Sequence, residues 1–365
     1  MHSDVPRPPS PNAGRNARIE DAPVLWRAAG TFERRGLHML LLVIGDEART
    51  RKYLPDLPIV GEVELKVVPR GTDDDAILAQ AGDADFILAD AISPVSAKLI
   101  SSMPNLKLVH SEGVAYNAID LDAARERGVH VCNNAGVNAG AVAEQTVLLM
   151  LACLRDAVAG DAAVRAGRQI QTKERMMVEG IRELGDCKVG FVGFGAIAQA
   201  TAERLARWGC EMVYNKRAPL PPEDEERLNV RFEELDRLAA TCDIVSLHVP
   251  VTDATRGMVD DAFLARMKSD AVLVNTARGE IVDQEALARA IANGVIGAAG
   301  CDTLYPEPVP ADHPLLTLPP EAACRVVLSP HIGGVTEGMF HRAHRAVWEN
   351  VARVAAGERP VNVVS

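Results

Sequence analysis

Between Lys188 and Gly209 the chain reads KVGFVGFGAIAQATAERLARWG: an apolar run, a turn carrying Gly193 and Gly195, and an alanine- and arginine-rich helical stretch. Strand, glycine turn and helix in direct succession restrict the fold more than any other feature. The spacing is G-x-G-x-x-A at Gly193, Gly195 and Ala198. The first glycine permits a tight turn and the second lets backbone approach a pyrophosphate. The third position must be small so that the helix can pack on the strand. A helix starting here turns unpaired N–H groups and its positive dipole end toward an anion. Dinucleotide binding is the expected use, with the backbone of Ala196 and Ile197 beside the two glycines. A purely structural glycine turn is the alternative.

The same alternation runs from Met39 to the end of the chain. LLLVIG, EVELKVV, DADFILAD, KLVHS and VHVCNN read as strands; KVGFVGFG, EMVYN, CDIVSLHVP, AVLVNTA, AAGCD and RVVLSP form a second series. Short apolar runs bounded by Gly, Asp, Asn or Pro suit buried parallel strands. Their alternation with helical segments such as DQEALARAIANG implies α/β architecture with parallel sheets covered on both faces. Between the two series lies AVAEQTVLLMLACL, Ala141 to Leu154, which is too hydrophobic for a helix with one solvated face. It is expected to be central between two units or covered by a second subunit. A polar stretch, RAGRQIQTKERMM, follows it, and MFHRAHRAVWENVARVAAG closes the chain as a helix stopped by Gly357.

Composition narrows the function classes. Lys and Arg number 39 against 50 Asp and Glu, a formal charge of -11, which argues against a nucleic-acid footprint built on clustered cations. No apolar run reaches membrane-spanning length. Seven cysteines without C-x-x-C spacing fit reduced thiols in the cytoplasm and supply no zinc site. Residues 1–38, including PRPPSPNAGRNAR, lack an apolar period and are expected to form a disordered extension.

The second strand of the nucleotide unit, EMVY, ends in Asn215, Lys216 and Arg217. An acid here would accept hydrogen bonds from the ribose hydroxyls of NAD and repel a 2′-phosphate. Two cations reverse both effects and favour NADP. Solvated basic residues at a strand end are the bland alternative, and NAD stays open.

Three later segments place a polar residue just past an apolar strand, the edge at which open α/β sheets bind ligands. They are VLVNTARGEIVD with Arg278, CDTLYPEP with Asp302 and Glu307, and SPHIGG with His331. Singly, each reads as a surface or structural residue. Together, an arginine, a carboxylate and a histidine suit hydride transfer to a 2-oxo acid. Arg278 would pair with the substrate carboxylate and polarise its carbonyl. His331 would give or take the hydroxyl proton. Glu307, on the other ring nitrogen, would set the tautomer and stabilise the charged imidazole.

In this order GFVGFGAIA, SLHVPVTDATRGMV, VNTARGEIVDQEAL, CDTLYPEP and SPHIGG resemble the D-isomer-specific 2-hydroxyacid dehydrogenase family, from about Met39 to Ser365. The resemblance implies two doubly wound parallel-sheet domains, a Rossmann cofactor domain over 139–334 inserted into a flavodoxin-like substrate domain made of 39–138 and 335–365. It implies that Arg278, Glu307 and His331 are the catalytic set. His248, Pro250, Thr276, Ala277, Asp302 and Gly333 would line the cofactor with Arg278 and His331. SEGVAYNAID resembles the substrate loop, so Gly113, Val114 and Ala115 would bind the carboxylate. The long helix would join two copies in a homodimer. Two departures stand out: Asn133 to Gly136 (NNAG) replaces a threonine-proline turn, and the family's acid falls on Lys216, or on Asn215 with a one-residue shift.

The expected activity is therefore reduction of a small 2-oxo acid of the glyoxylate or hydroxypyruvate kind with NADP(H). An NAD-linked enzyme of D-lactate or phosphorylated substrates and a nucleotide-sensing corepressor-like protein are the rivals. His341 and His344, at i, i+3 on the last helix, are expected to be exposed, and Asp73-Asp74-Asp75 to start a helix.

Overall fold

The computed structural model describes residues 39–364; the expected disordered extension lies outside them. Strands β1 (Met39–Ile44), β2 (Val63–Val68), β3 (Phe86–Ala89), β4 (Leu108–Ser111) and β5 (His130–Cys132) form a parallel sheet in the order β2-β1-β3-β4-β5. A second parallel sheet contains β6 (Lys188–Val192), β7 (Glu211–Asn215), β8 (Arg231–Phe232), β9 (Ile244–Leu247), β10 (Val272–Asn275), β11 (Ala298–Cys301) and β12 (Val326–Leu328). Its order is β12-β11-β10-β9-β6-β7-β8. In each sheet the strand order reverses beside the first strand of its series. The glycine loop leaves β6 at that reversal, where an open sheet leaves room for a ligand.

Both faces of each sheet are covered, which is why the strands read as continuous apolar runs. In β1, Leu40, Leu42 and Ile44 pack into one core while Leu41 and Val43 pack into another on the opposite face. The second core also takes Val347, Trp348 and Val351 from the last helix, Glu337–Ala355, so the end of the chain returns to the first sheet. Each such fully buried aliphatic or aromatic side chain contributes about 1.5–3 kcal/mol. The Ala139–Leu154 helix is central: nine of its sixteen residues are buried, and Leu149 and Cys153 press on Gly300 of β11.

Local chemistry sets the helix starts. Asp73 caps the Asp74–Ala81 helix by accepting from Ala76 N at 2.9 Å, as the acidic triplet implied. Three readings change. The polar stretch after residue 164 is mostly helical, as Gln169–Glu179, although none of that helix's residues is buried in its own chain. Strand β8, two residues long, is too short to leave a period in the sequence. His341 is exposed as expected, but His344 is fully buried, with Nε2 3.0 Å from Glu112 Oε1. One helical turn separates these histidines, and the border of the buried face runs between them.

A second histidine is also internal. His110 of β4 is buried; Asn350 Nδ2 donates to its Nε2 at 3.1 Å and its Nδ1 lies 2.8 Å from the Ser111 carbonyl. Burial pushes its pKa down to about 4. The unfolded chain, titrating near 6.5, then binds the extra proton between about pH 6.5 and 4 and the native state does not. Stability should fall as pH drops through that window, by up to about 3 kcal/mol from this residue. Urea titrations at pH 7 and pH 4.5 should show a smaller loss for His110→Gln than for the unsubstituted protein.

Candidate active site at the strand ends

The parallel register lines up the ends of six strands on one rung. Val192 pairs with Asn215 and with Leu247, Leu247 with Asn275, Asn275 with Cys301, and Cys301 with Leu328. The first residues beyond that rung are Gly193, Lys216, His248, Thr276, Asp302 and Ser329, five of them named from the sequence. Each is there because its apolar run ends at the same height.

Gly193 has φ +86°, and a Cβ on it would lie 2.6 Å from the His248 carbonyl oxygen. Only glycine meets both demands. Its N–H donates to Asn215 O at 2.9 Å, tying the turn to β7. Gly195, by contrast, has no atom within 4 Å of a Cβ position, and precedes the Ala196–Leu205 helix. The N–H groups of Ala196 and Ile197 have no partner among the described residues, and buried Ala198 lets the helix lie on the sheet. This cradle, an open glycine face with free donors, fits a pyrophosphate. His248 Nε2 lies 2.8 Å from Ser246 Oγ, and loss of hydration pushes its pKa down to about 3, so it stays neutral. The Pro250 carbonyl accepts from Thr255 Oγ1 at 2.6 Å, which shapes the turn after β9. At the end of β7, Asn215 Nδ2 donates to the Glu233 carbonyl at 2.9 Å. Lys216 is half-buried and Arg217 exposed, and neither pairs with an acid among the described residues.

Beyond β10, Asn275 shapes the loop with its side chain. Oδ1 accepts from Ala277 N at 3.0 Å and Nδ2 donates to Arg278 O at 2.8 Å. Arg278 itself is exposed, and among the described residues its guanidinium meets only the Ala277 carbonyl, at 2.7 Å. A Cβ on Gly279 would overlap the Leu304 carbonyl and sit 2.6 Å from Tyr305 N, so the Arg278 loop lies directly on the loop that carries Glu307. That second loop is braced by Gln284, which donates to Tyr305 O at 2.8 Å and meets His313 Nε2 at 2.8 Å.

His331 faces Glu307, with Nδ1 2.9 Å from each carboxylate oxygen, while Nε2 has no partner among the described residues. Its backbone is left-handed at φ +56°, a conformation that a histidine holds only when its surroundings impose it. Asp302 supplies that constraint. Its carbonyl accepts from His331 N at 2.8 Å; Oδ1 accepts from Ser329 Oγ at 2.5 Å and Ile332 N at 3.0 Å, and Oδ2 from Gly333 N at 2.8 Å. The buried carboxylate is thus spent on shaping the histidine loop. The Ala139–Leu154 helix reinforces it: Gln145 donates to Ser329 Oγ at 2.9 Å, and the hydroxyls of Thr146 and Thr276 lie 2.9 Å apart.

On the first sheet the loop after β4 has a distinct asymmetry. Its carbonyls are taken: Gly113 O by Asn134 N at 2.9 Å, Val114 O by Asn133 Nδ2 at 2.7 Å, and Ala115 O by Ser111 Oγ at 2.6 Å. Asn134 Nδ2 also donates to Glu112 O at 2.8 Å. The N–H groups of Val114 and Ala115 find no acceptor among the described residues. Backbone held by its carbonyls with its donors free is a nest for an anion. The NNAG departure is therefore what fixes the loop. Sequence reading missed Asn133, Asn134, Gln284 and His313, because a supporting amide or imidazole carries no local signature. Asp302→Ala should lower stability by at least about 2 kcal/mol, since three donors, one buried and two partly buried, lose a charged acceptor, measured by urea unfolding.

The family described as D-isomer specific 2-hydroxyacid dehydrogenase, NAD binding domain, matches residues 147–333. A glyoxylate reductase of Korarchaeum cryptofilum is 36% identical over 290 residues, 79% of this chain and 85% of that one. A D-3-phosphoglycerate dehydrogenase of Mycobacterium tuberculosis is 37% identical over 298 residues, 81% of this chain but only 54% of that protein's length. Among solved structures, apo D-mandelate dehydrogenase of Rhodotorula graminis superposes with a TM-score of 0.76 at 28% identity, covering 90% of this chain and 98% of that one. The chain belongs to the D-isomer-specific 2-hydroxyacid dehydrogenases, NAD(P)-dependent oxidoreductases built from two parallel-sheet α/β domains.

Proposed function

We propose that this dehydrogenase reduces small, unphosphorylated 2-oxo acids of the glyoxylate or hydroxypyruvate kind to D-2-hydroxy acids, with NADPH as the preferred cofactor. The observation that carries the reading is His331: Glu307 occupies its Nδ1 while, among the described residues, Nε2 is free, on the edge that bears the glycine loop and an arginine that meets no acid among them. The bound nicotinamide supplies the hydride. Arg278 holds the substrate carboxylate and draws electron density from the carbonyl. The free N–H groups of Val114 and Ala115, with Gly113, take the same carboxylate from the substrate-domain side. His331 Nε2–H gives its proton to the carbonyl oxygen as negative charge develops there, and takes it back in the oxidative direction. Glu307 accepts from Nδ1–H throughout, which orients the ring and stabilises its cation.

Unpaired Lys216 and Arg217, directly beyond the β7 rung, support the 2′-phosphate reading, with Arg217 the first contact and Lys216 the second. Asn215 has its amide committed to Glu233. A phosphorylated substrate, as for the phosphoglycerate dehydrogenase relative, would call for a free cation on the first sheet's edge. There Arg70 pairs with Asp90 and Arg49 with Glu112.

We assign 39–138 with 335–365 to the substrate domain and 139–334 to the cofactor domain, supported by the return of the last helix to the first sheet. The homodimer reading moves along the chain. The Ala139–Leu154 helix is mostly buried in its own subunit, whereas Val158, Val164, Ile170, Met177 and Val178 (88% exposed) lie open on the two helices after it. A second copy that covers them explains a helix with no buried residue of its own. Among the described residues no helix is long and apolar enough to cross a membrane, and the free cysteines suit a cytoplasmic enzyme.

Initial rates over a panel of 2-oxo acids with each cofactor test the substrate reading, and no turnover on any of them would sink it. His331→Ala should lower kcat by about 10²–10⁴-fold with NADPH affinity nearly intact. Lys216→Asp with Arg217→Ala should shift the kcat/KM ratio toward NADH by at least about tenfold. Val178→Asp with Met177→Asp should convert the dimer to monomer in sedimentation experiments.

A further inference from the structure

We infer that Glu112 is a positioning residue for the carboxylate-binding loop, clamped from two distant elements by Arg49 and His344. The inference rests on the reading of Gly113–Ala115 as the substrate loop. Glu112 is the first residue past β4; its N–H donates to Ala89 O at 2.7 Å, so its backbone is fixed to the end of β3. Its side chain is nearly buried. Arg49 Nη2, from the Glu47–Lys52 helix after β1, lies 2.8 Å from Oε2, and His344 Nε2, from the last helix, lies 3.0 Å from Oε1. Neither partner belongs to the loop, and His344 stands 232 residues away in sequence. The Arg49 guanidinium rests on the Phe340 ring at 5.6 Å, and Tyr53 stacks on that same ring at 5.0 Å and meets the His344 ring at a tilt, 5.9 Å away, so packing restrains both arms of the clamp.

A buried carboxylate one residue short of the free N–H groups of Val114 and Ala115 opposes the binding of a second carboxylate there unless it is neutralised. Both oxygens of Glu112 face donors, which neutralises it and turns it into an anchor for the loop's entry. Asn133, Asn134 and Ser111 fix the carbonyls of the loop, and Glu112 fixes where the loop begins. The free N–H groups are then aimed by the first and last helices of the described chain together. His344 is fully buried, its Nδ1 has no partner among the described residues, and the Glu112 carboxylate is the one polar group its ring meets among them.

The test compares Glu112→Ala, His344→Phe and His344→Gln in the full chain. Gln can still donate to Glu112, whereas Phe fills the space without a donor. KM for glyoxylate should rise about tenfold or more in Glu112→Ala and His344→Phe, with kcat within about threefold and NADPH affinity within about twofold. His344→Gln should remain close to the original. Amide hydrogen exchange across Gly113–Tyr116 should accelerate in the first two variants and not in the third. Variants that melt earlier yet keep both the original KM and the original loop exchange would reduce Glu112 to a packing role and overturn the inference. If the unsubstituted protein turns over no 2-oxo acid, the substrate reading fails, and the exchange data alone still decide whether Glu112 anchors the loop. Should Glu112→Ala not fold, the His344 pair carries the comparison.

Discussion

The site depends on strand register. In a parallel sheet, a one-residue slip exchanges the two faces of a strand, so two buried faces lock each strand at one height. Six strands of the second sheet end on one rung, and the four strands around β1 and β3 do the same in the first. The candidate site residues stand one to six residues beyond those rungs. The glycine loop, the cations after β7, the arginine loop and the histidine loop are neighbours in space because their apolar runs stop together, although about 140 residues of sequence separate the first from the last.

Acids then do the placing. Asp302 gathers Ser329, Ile332 and Gly333 and so imposes a left-handed backbone on His331. Glu307 turns the imidazole, and Glu112 ties the loop after β4 to two helices. Each of these carboxylates meets donors that belong to other elements of the chain. A net acidic chain can therefore present free donors to an anionic substrate, since its acids near the site are already engaged within the protein.

Much of the site was legible because its chemistry is local. A glycine at a left-handed turn, an arginine or histidine just past an apolar run and a cationic strand end each announce themselves within a few residues. Supporting contacts were not legible. Asn134 looked like a departure from a pattern, and only the fold shows its amide holding the loop at Glu112. His344 looked like surface, since a histidine at the border of an amphipathic helix is read equally well either way, and the deciding acid lies on another strand. The exposed apolar residues of the Gln169–Glu179 helix were hidden among charges, where no period separates a solvated helix from one awaiting a partner.

The sequence by itself determined the two series of parallel strands, the dinucleotide cradle and the identity of the arginine, glutamate and histidine that stand beyond the strands. These follow from period, turn chemistry and residue type, all encoded within short windows. Only the tertiary structure decided which polar groups are free and which are spent. Arg49 and Arg70 look the same as Lys216 and Arg217 in the sequence, yet the first two are paired with acids from neighbouring strand ends and the second two meet no acid among the described residues. That distinction comes from where register and packing place the acids, because the pull of a charge depends on what stands within a few ångströms of it.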